Sequence, residues 1–302
     1  MPPFLSKNDQ VQLIATARSV SKLEIKPAIK IIESFGLKVK YNKKLFDEQN
    51  IFSGTKKQRI KELQQALNNT NIKAIFFARG GYGSIQIIDD IDFRKFSKNP
   101  KWLVGFSDVT TILIHLYQQH KINSIHGPMP FNFHKTDTVS INNLFSLLQG
   151  KLNAIKIKHH MLNNIGKTSG IIIGGNLSIL CSLIGSSSSL PFNSNYILFI
   201  EDVDEYVYHI ERMTYTLDRA RILKNIKGLI VGGMTNLMDN KQAFGKTAYQ
   251  AIHDIVKKYN YPVCFNMPLG HDKINHPIII GSYVDLEVNA QFSKLEYRQY
   301  VK

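Results

Sequence analysis

Between residues 11 and 125, short apolar runs alternate with stretches of helical period, a rhythm that commits a chain to crossover connections and so to a parallel sheet. Val11-Gln12-Leu13-Ile14-Ala15 reads as a strand. Leu23 to Phe35 has helical spacing and stops at Gly36, a residue suited to ending a helix. Leu37-Lys38-Val39 resumes as a strand, and Lys56 to Asn69 returns to a helix with Ile60, Leu63, Ala66 and Leu67 on one face. Ile72–Phe77, Trp102–Val104 and Ile122–Ile125 supply further strands, with a helical stretch from Val109 to Leu116. The expected fold class is α/β, with an N-terminal doubly wound parallel sheet.

From about 135 to 169 the chain becomes polar and irregular. The first part of this stretch can hold a helix, and the second reads as a connection. The expected division is an N-terminal α/β domain over 1–150, a linker over 151–168, and a smaller C-terminal α/β domain over 169–302 rich in short strands. Strands are expected at Gly170–Ile173, Tyr196–Ile200 and Leu229–Val231, helices near 176–184, 208–221 and 243–259, and a short set of strands from Pro277 onward. A length of 302 residues suits one large domain or two ordinary ones.

Composition excludes several function classes. At 43% hydrophobic and 20% charged the chain is globular rather than disordered. Cys181 and Cys264 are far apart and outside any CxxC spacing, so neither a disulfide framework nor a zinc site follows, and both read as buried thiols. No run approaches the ~18 apolar residues needed to cross a bilayer. The N-terminus lacks a basic region followed by an apolar core, and Arg18 interrupts the one stretch that comes near, so the expected location is cytoplasmic with no membrane partner. The net charge of +15 comes from scattered lysines in a chain also rich in Ile and Asn. No basic run is interleaved with aromatics, so no nucleic-acid partner is expected.

Five stretches could carry chemistry. ARGGYGS (78–84) follows a strand, and its glycines either make a tight turn or expose N–H groups to a ligand; it lacks the Gly-Lys-Ser/Thr ending of a phosphate loop. In VGFSDVT (104–110), Ser107 sits at a strand-to-helix turn, either capping the helix or presenting an activated hydroxyl, without the second glycine of the usual G-x-S-x-G elbow. The strand Tyr196–Ile200 ends in Glu201, Asp202, Asp204 and Glu205, which read as a solvated acidic loop, a ligand site at a strand end, or a Mg²⁺ site. Among ten histidines, His126 in HGPMP and His271 in PLGH stand out by following strands. A serine nucleophile needs a base and a carboxylate to orient it, and Ser107, His271 and Glu201 lie at separate strand ends.

Taken together, ARGGYGS, GFSDVT (105–110), HGPM (126–129), GGNLS (174–178), IEDVDE (200–205), ERM (211–213) and PLGH with Asn275 (268–275) resemble the LD-carboxypeptidases, or muramoyltetrapeptide carboxypeptidases, a family of serine peptidases. The motifs keep the family's order across nearly the whole chain. The resemblance implies a nucleophile Ser107 in the N-terminal domain and an acid Glu201 and base His271 in the C-terminal one. It implies an oxyanion hole from the backbone N–H groups of Gly81 and Asp108, with Arg79, Gly80 and Tyr82 toward substrate; Arg79 contacts either a substrate carboxylate or a structural partner. No metal or other cofactor is implied. The implied substrate is a cytoplasmic muropeptide tetrapeptide, cut between its L-centred third residue and a terminal D-alanine in cell-wall recycling, by an enzyme that tends to dimerise. Departures from the family pattern are Ala15-Thr16-Ala17 after the first strand, Phe106 where tyrosine is commoner, and Gly185-Ser186 where Gly-Thr is commoner. Two other readings use the same scaffold: an immunity-type peptidase that cleaves an aminoacyl-nucleotide toxin, for which a longer loop is expected, and a nonenzymatic muropeptide-binding module.

Overall fold

Runs such as AIFF (74–77) and WLVG are apolar on both faces, which only a sheet covered on both sides can accommodate. A computed structural model describes residues 1–190 and 195–298. Its first half runs β1 (Gln10–Ile14), α1 (Lys22–Ser34), β2 (Lys38–Tyr41), α2 (Lys56–Asn68), β3 (Ile72–Phe77), α3 (Arg94–Lys98), β4 (Trp102–Gly105), α4 (Thr110–His120), β5 (Ser124–His126) and α5 (Thr138–Leu148). Capping boxes start α1 and α2: Ser21 with Glu24, and Thr55 with Gln58, each satisfy two N–H groups that a helix start leaves free. The second half runs β6 (Ile155–Lys158), β7 (Gly166–Asn176), α6 (Leu177–Ser182), β8 (Tyr196–Val203), α7 (Val207–Arg219), β9 (Gly228–Thr235), α8 (Ala248–Val256), β10 (Val263–Cys264), β11 (Ile278–Ile280), β12 (Tyr283–Val288) and β13 (Phe292–Tyr297).

The first sheet has the order β11-β5-β4-β3-β1-β2, parallel from β5 to β2. The chain winds outward from β1 in both directions, so the sheet is doubly wound as expected, with its switch between β1 and β3. The second sheet, β10-β9-β8-β7-β12-β13-β6, is parallel from β10 to β7 and antiparallel beyond. No helix among the described residues is long and apolar enough to cross a membrane.

Three features depart from the expected pattern. The 151–168 stretch, read as a connection, holds β6 and the start of β7. Ile155 and Ile157 alternate with Lys156 and Lys158, and so short an edge strand leaves little hydrophobic signal. β11 leaves the C-terminal strands to pair antiparallel with β5, Ile278 opposite His126, and so closes the first sheet. Helix α8 starts at Ala248 rather than near 243, behind a capping box of Thr247 and Gln250.

Candidate active site

The carboxyl ends of β3, β4, β8 and the loop after β10 carry the residues singled out above. β4 ends at Gly105, and Ser107 follows with φ of 60°, a left-handed conformation that costs a non-glycine residue energy and recurs where a side chain must be aimed. The Ser107 side chain caps neither the short turn Ser107–Val109 nor α4, so the helix-cap alternative is not realised. Gly80 lies against the serine: a β-carbon built on it would stand 3.2 Å from Ser107 Oγ. Gly81 follows with φ of 107° beneath the aliphatic stem of Arg18. Tyr82 is about half exposed, with its ring 6.1 Å from that of Phe52. Arg79 donates through Nη1 to Ser19 O at 3.1 Å and lies 4.0 Å over the Phe131 ring, and it forms no ion pair among the described residues.

Glu201, the sixth residue of β8, is fully buried, and its Oε2 accepts from His271 Nδ1 at 2.7 Å. Gly270, with φ of 108°, makes this contact possible, because a β-carbon there would come within 2.5 Å of that same Oε2. Asn275, also buried, accepts from Gly270 N at 3.0 Å and so folds the PLGH loop back on itself. The imidazole of His271 packs 4.7 Å from the ring of Phe106, the residue just before Ser107. Burial disfavours the His271 cation, but the charge and hydrogen bond of Glu201, with Asp202 and Asp204, outweigh it and raise its pKa. Burial likewise works against the Glu201 anion, yet His271, His126 and Asn176 bring its pKa below the ordinary value.

The other histidine singled out takes a different part. His126, at the end of β5, is enclosed by Phe106 and Phe199 at 5.8 and 5.0 Å, and burial pushes its pKa down to about 4. It makes no hydrogen bond to Glu201, whose Oε2 is taken by His271.

The four acids of this loop each find partners of their own. Glu201 takes His271; Asp202 accepts from Asn176 Nδ2 at 2.8 Å and Ser178 N at 2.9 Å; Asp204 accepts from Asn236; and Glu205 pairs with His209 at 2.7 Å. Among the described residues no cluster of His, Cys, Asp or Glu is arranged to hold a metal ion. Burial and the Glu201 charge push Asp202 up to about 7. Asn176 was not singled out as a site residue, although GGNLS was. It caps α6 through Oδ1 and holds Asp202 through Nδ2, and the signal was its place at the amino end of a helix directly after a strand. Cys181 and Cys264 are free thiols pushed up to about 12 and about 11 by burial.

An open cleft of about 260 Å³ borders this site, lined by Phe106, Asn132, Lys135, Thr136, His271 and Lys273 among others. A strand-turn-helix serine beside a glycine loop, with a histidine bound to a buried carboxylate, is the site architecture of a hydrolase. The chain matches the LD-carboxypeptidase N-terminal domain over residues 11–127 and the LD-carboxypeptidase C-terminal domain over 169–286, and it belongs to the LD-carboxypeptidase family of serine peptidases. It is 28% identical over 302 residues to a probable murein peptide carboxypeptidase of Bacillus subtilis, covering 98% of this chain and 94% of that one. It is 25% identical over 291 residues to the murein tetrapeptide carboxypeptidase of Pseudomonas aeruginosa, covering 93% and 94%. The solved muramoyltetrapeptide carboxypeptidase from Oxalobacter formigenes superposes with a TM-score of 0.87 at 26% identity, over 97% of this chain and all of that one. The microcin C7 self-immunity protein MccF shares the fold with the same TM-score at 18% identity, over 100% and 99% of the two chains.

Proposed function

We propose that the protein is a serine LD-carboxypeptidase that removes the terminal D-alanine from muropeptide tetrapeptides in the cytoplasm, as a step in cell-wall recycling. The observation that carries the reading is the 2.7 Å bond from His271 to buried Glu201, formed beside a serine held in a left-handed turn against the glycine loop. Glu201 fixes the tautomer in which Nδ1 holds the proton and Nε2 is free to act as base. His271 takes the Ser107 proton, and Ser107 attacks the carbonyl at the L-centre. The N–H groups of Gly81 and Asp108 take up the oxyanion. The amine of the D-residue leaves with the proton from His271, and water then hydrolyses the acyl-enzyme. Ser107 Oγ has no hydrogen bond among the described residues, and the reading requires it to come within hydrogen-bond reach of His271 Nε2 once substrate fills the cleft.

The substrate class is supported by the names of the full-length relatives and by the cleft, where Lys135 and Lys273 suit a peptide bearing free carboxylates. Arg79, Gly80 and Tyr82 belong to the glycine loop, whose Gly80 lies against Ser107, and in this reading they face the substrate from that loop. The homodimer rests on the family resemblance and is read by light scattering of the purified protein.

The test is mass spectrometry of a muropeptide tetrapeptide incubated with the purified protein in the presence of chelator. Loss of one alanine, absent in Ser107→Ala with an unchanged circular dichroism spectrum, is the expected result. Turnover surviving in Ser107→Ala would end the serine assignment. An intact tetrapeptide would turn the reading toward an aminoacyl-nucleotide substrate, consistent with the fold shared with MccF, or toward a protein that only binds muropeptide.

A further inference from the structure

The turn that carries Ser107 and the loop that faces it are tied together by groups outside the triad. The carboxylate of Asp108 points away from the nucleophile and accepts from Gly83 N at 3.2 Å and Ser84 N at 2.9 Å. The carbonyl of Gly83 is held by Arg59 of α2, whose Nη1 donates to Gly83 O at 3.1 Å and to Thr16 O, just beyond β1, at 2.8 Å. Arg59 Nη2 donates to Gln86 Oε1 at 2.7 Å, and the guanidinium lies 4.6 Å over the Phe52 ring. The hydroxyls of Thr16 and Ser84 bond each other at 3.0 Å beside it.

Both charged groups are buried, Arg59 at 2% exposure and Asp108 at 1%. Burying a guanidinium is unfavourable unless its N–H groups find acceptors; here Nη1 finds them in the glycine loop and the end of the first strand and Nη2 in Gln86, while Nε has none. Gly83 has φ of 147°, and a β-carbon there would stand 2.5 Å from Arg59 Nη1, so the loop's third glycine is the one that admits the guanidinium. The positive charge of Arg59 and the negative charge of Asp108 thus act on the same loop from two sides.

We propose that Arg59 is a positioning residue for the oxyanion hole: with Asp108 it clamps Gly83 and so sets the distance between the glycine loop and the Ser107 turn. The inference rests on the serine-peptidase reading above. Arg59 touches no reacting atom. Its effect is geometric, since oxyanion donors act only when held within a few tenths of an ångström of the developing charge, and a displacement of about 1 Å costs about 10²-fold in rate. Nothing in KKQRIKELQQ marks this arginine out from its lysine neighbours, because its role comes from the segment it packs under.

The test follows labelling of Ser107 by a fluorophosphonate, using intact-mass spectrometry over time. In that reaction Ser107 Oγ bonds to phosphorus, fluoride leaves, and the serine proton passes to His271. Charge builds on the phosphoryl oxygen in the oxyanion hole, and no peptide substrate is needed. Wild type, Arg59→Lys, Arg59→Gln and Gln86→Leu are compared, each with a thermal midpoint and a kcat and KM on the tetrapeptide. The Arg59 variants are expected to label about 10–100-fold more slowly, with kcat falling in parallel and KM little changed. Gln86→Leu, which frees one side of the guanidinium, is expected to slow labelling several-fold. Folded Arg59 variants that label at the wild-type rate would overturn the inference alone. If the Arg59 variants fail to fold, Gln86→Leu decides, and an unchanged rate there overturns it. A wild-type protein that takes no label overturns the serine-peptidase reading and the inference with it.

Discussion

At the scale of single residues, the proposed base has its protonation set by one contact. The His271 pKa is raised above the ordinary 6.5, with burial opposing and Glu201 prevailing. The base must be neutral, so kcat/KM should rise as pH climbs through that raised value. Removing the charge in Glu201→Gln should move this acid limb to lower pH and reduce kcat by up to about 10⁴-fold. A pH–rate profile with an unmoved acid limb would take Glu201 out of the site. Stability runs the other way. A raised histidine stabilises the fold fully below 6.5 and loses that contribution as pH rises through the folded pKa. The lowered Glu201 stabilises above 4.5 and loses its contribution as pH falls through its folded pKa. The pair therefore stabilises most between those two ordinary values, while activity needs a higher pH.

At the scale of elements, helix ends account for much of the polar burial. Lys101, 4% exposed before β4, reaches the last turn of α2 and donates to Ala66 O and Leu67 O at 3.0 Å each, and to Asn69 O. Burial, with Lys73 and Lys95 nearby, pulls it down to about 8. Lys101→Met keeps the stem but leaves those carbonyls without this partner. It should lower stability by about 1–3 kcal/mol in urea unfolding, with kcat unaffected because the site lies at the other end of the sheet. An unchanged midpoint would show that solvent satisfies the α2 carbonyls. Elements of this kind were mostly legible beforehand. Strands β1, β3 and β4 and helices α1 and α2 announce themselves by period and caps, whereas β6, four residues long at a sheet edge and half lysine, does not.

At the scale of the whole molecule, the return of β11 to the first sheet makes the two halves depend on each other. Ile278, Ile279 and Ile280 are fully buried against β5, although they lie more than a hundred residues later in the chain. Ile279→Ala should cost about 2–5 kcal/mol, and calorimetry should show one cooperative transition displaced downward. Two resolved transitions would mean that the sheets unfold separately.

The sequence alone determined the α/β class, the alternation of strands and helices along the first half, and the turn that carries Ser107. Each of these follows from local periodicity and from glycine and serine at strand ends. The candidate nucleophile, acid and base were also named there, as strand-end residues and through family resemblance. Tertiary structure decided which of four neighbouring acids meets a histidine 70 residues away, and why the other three do not. Alternation along β8 and the loop beyond it sends successive side chains to different neighbours, and those neighbours are known only once the sheet is assembled. The burial of Arg59 under the glycine loop and the crossing of β11 are of the same kind. They depend on packing between segments distant in the chain, which no window of sequence contains.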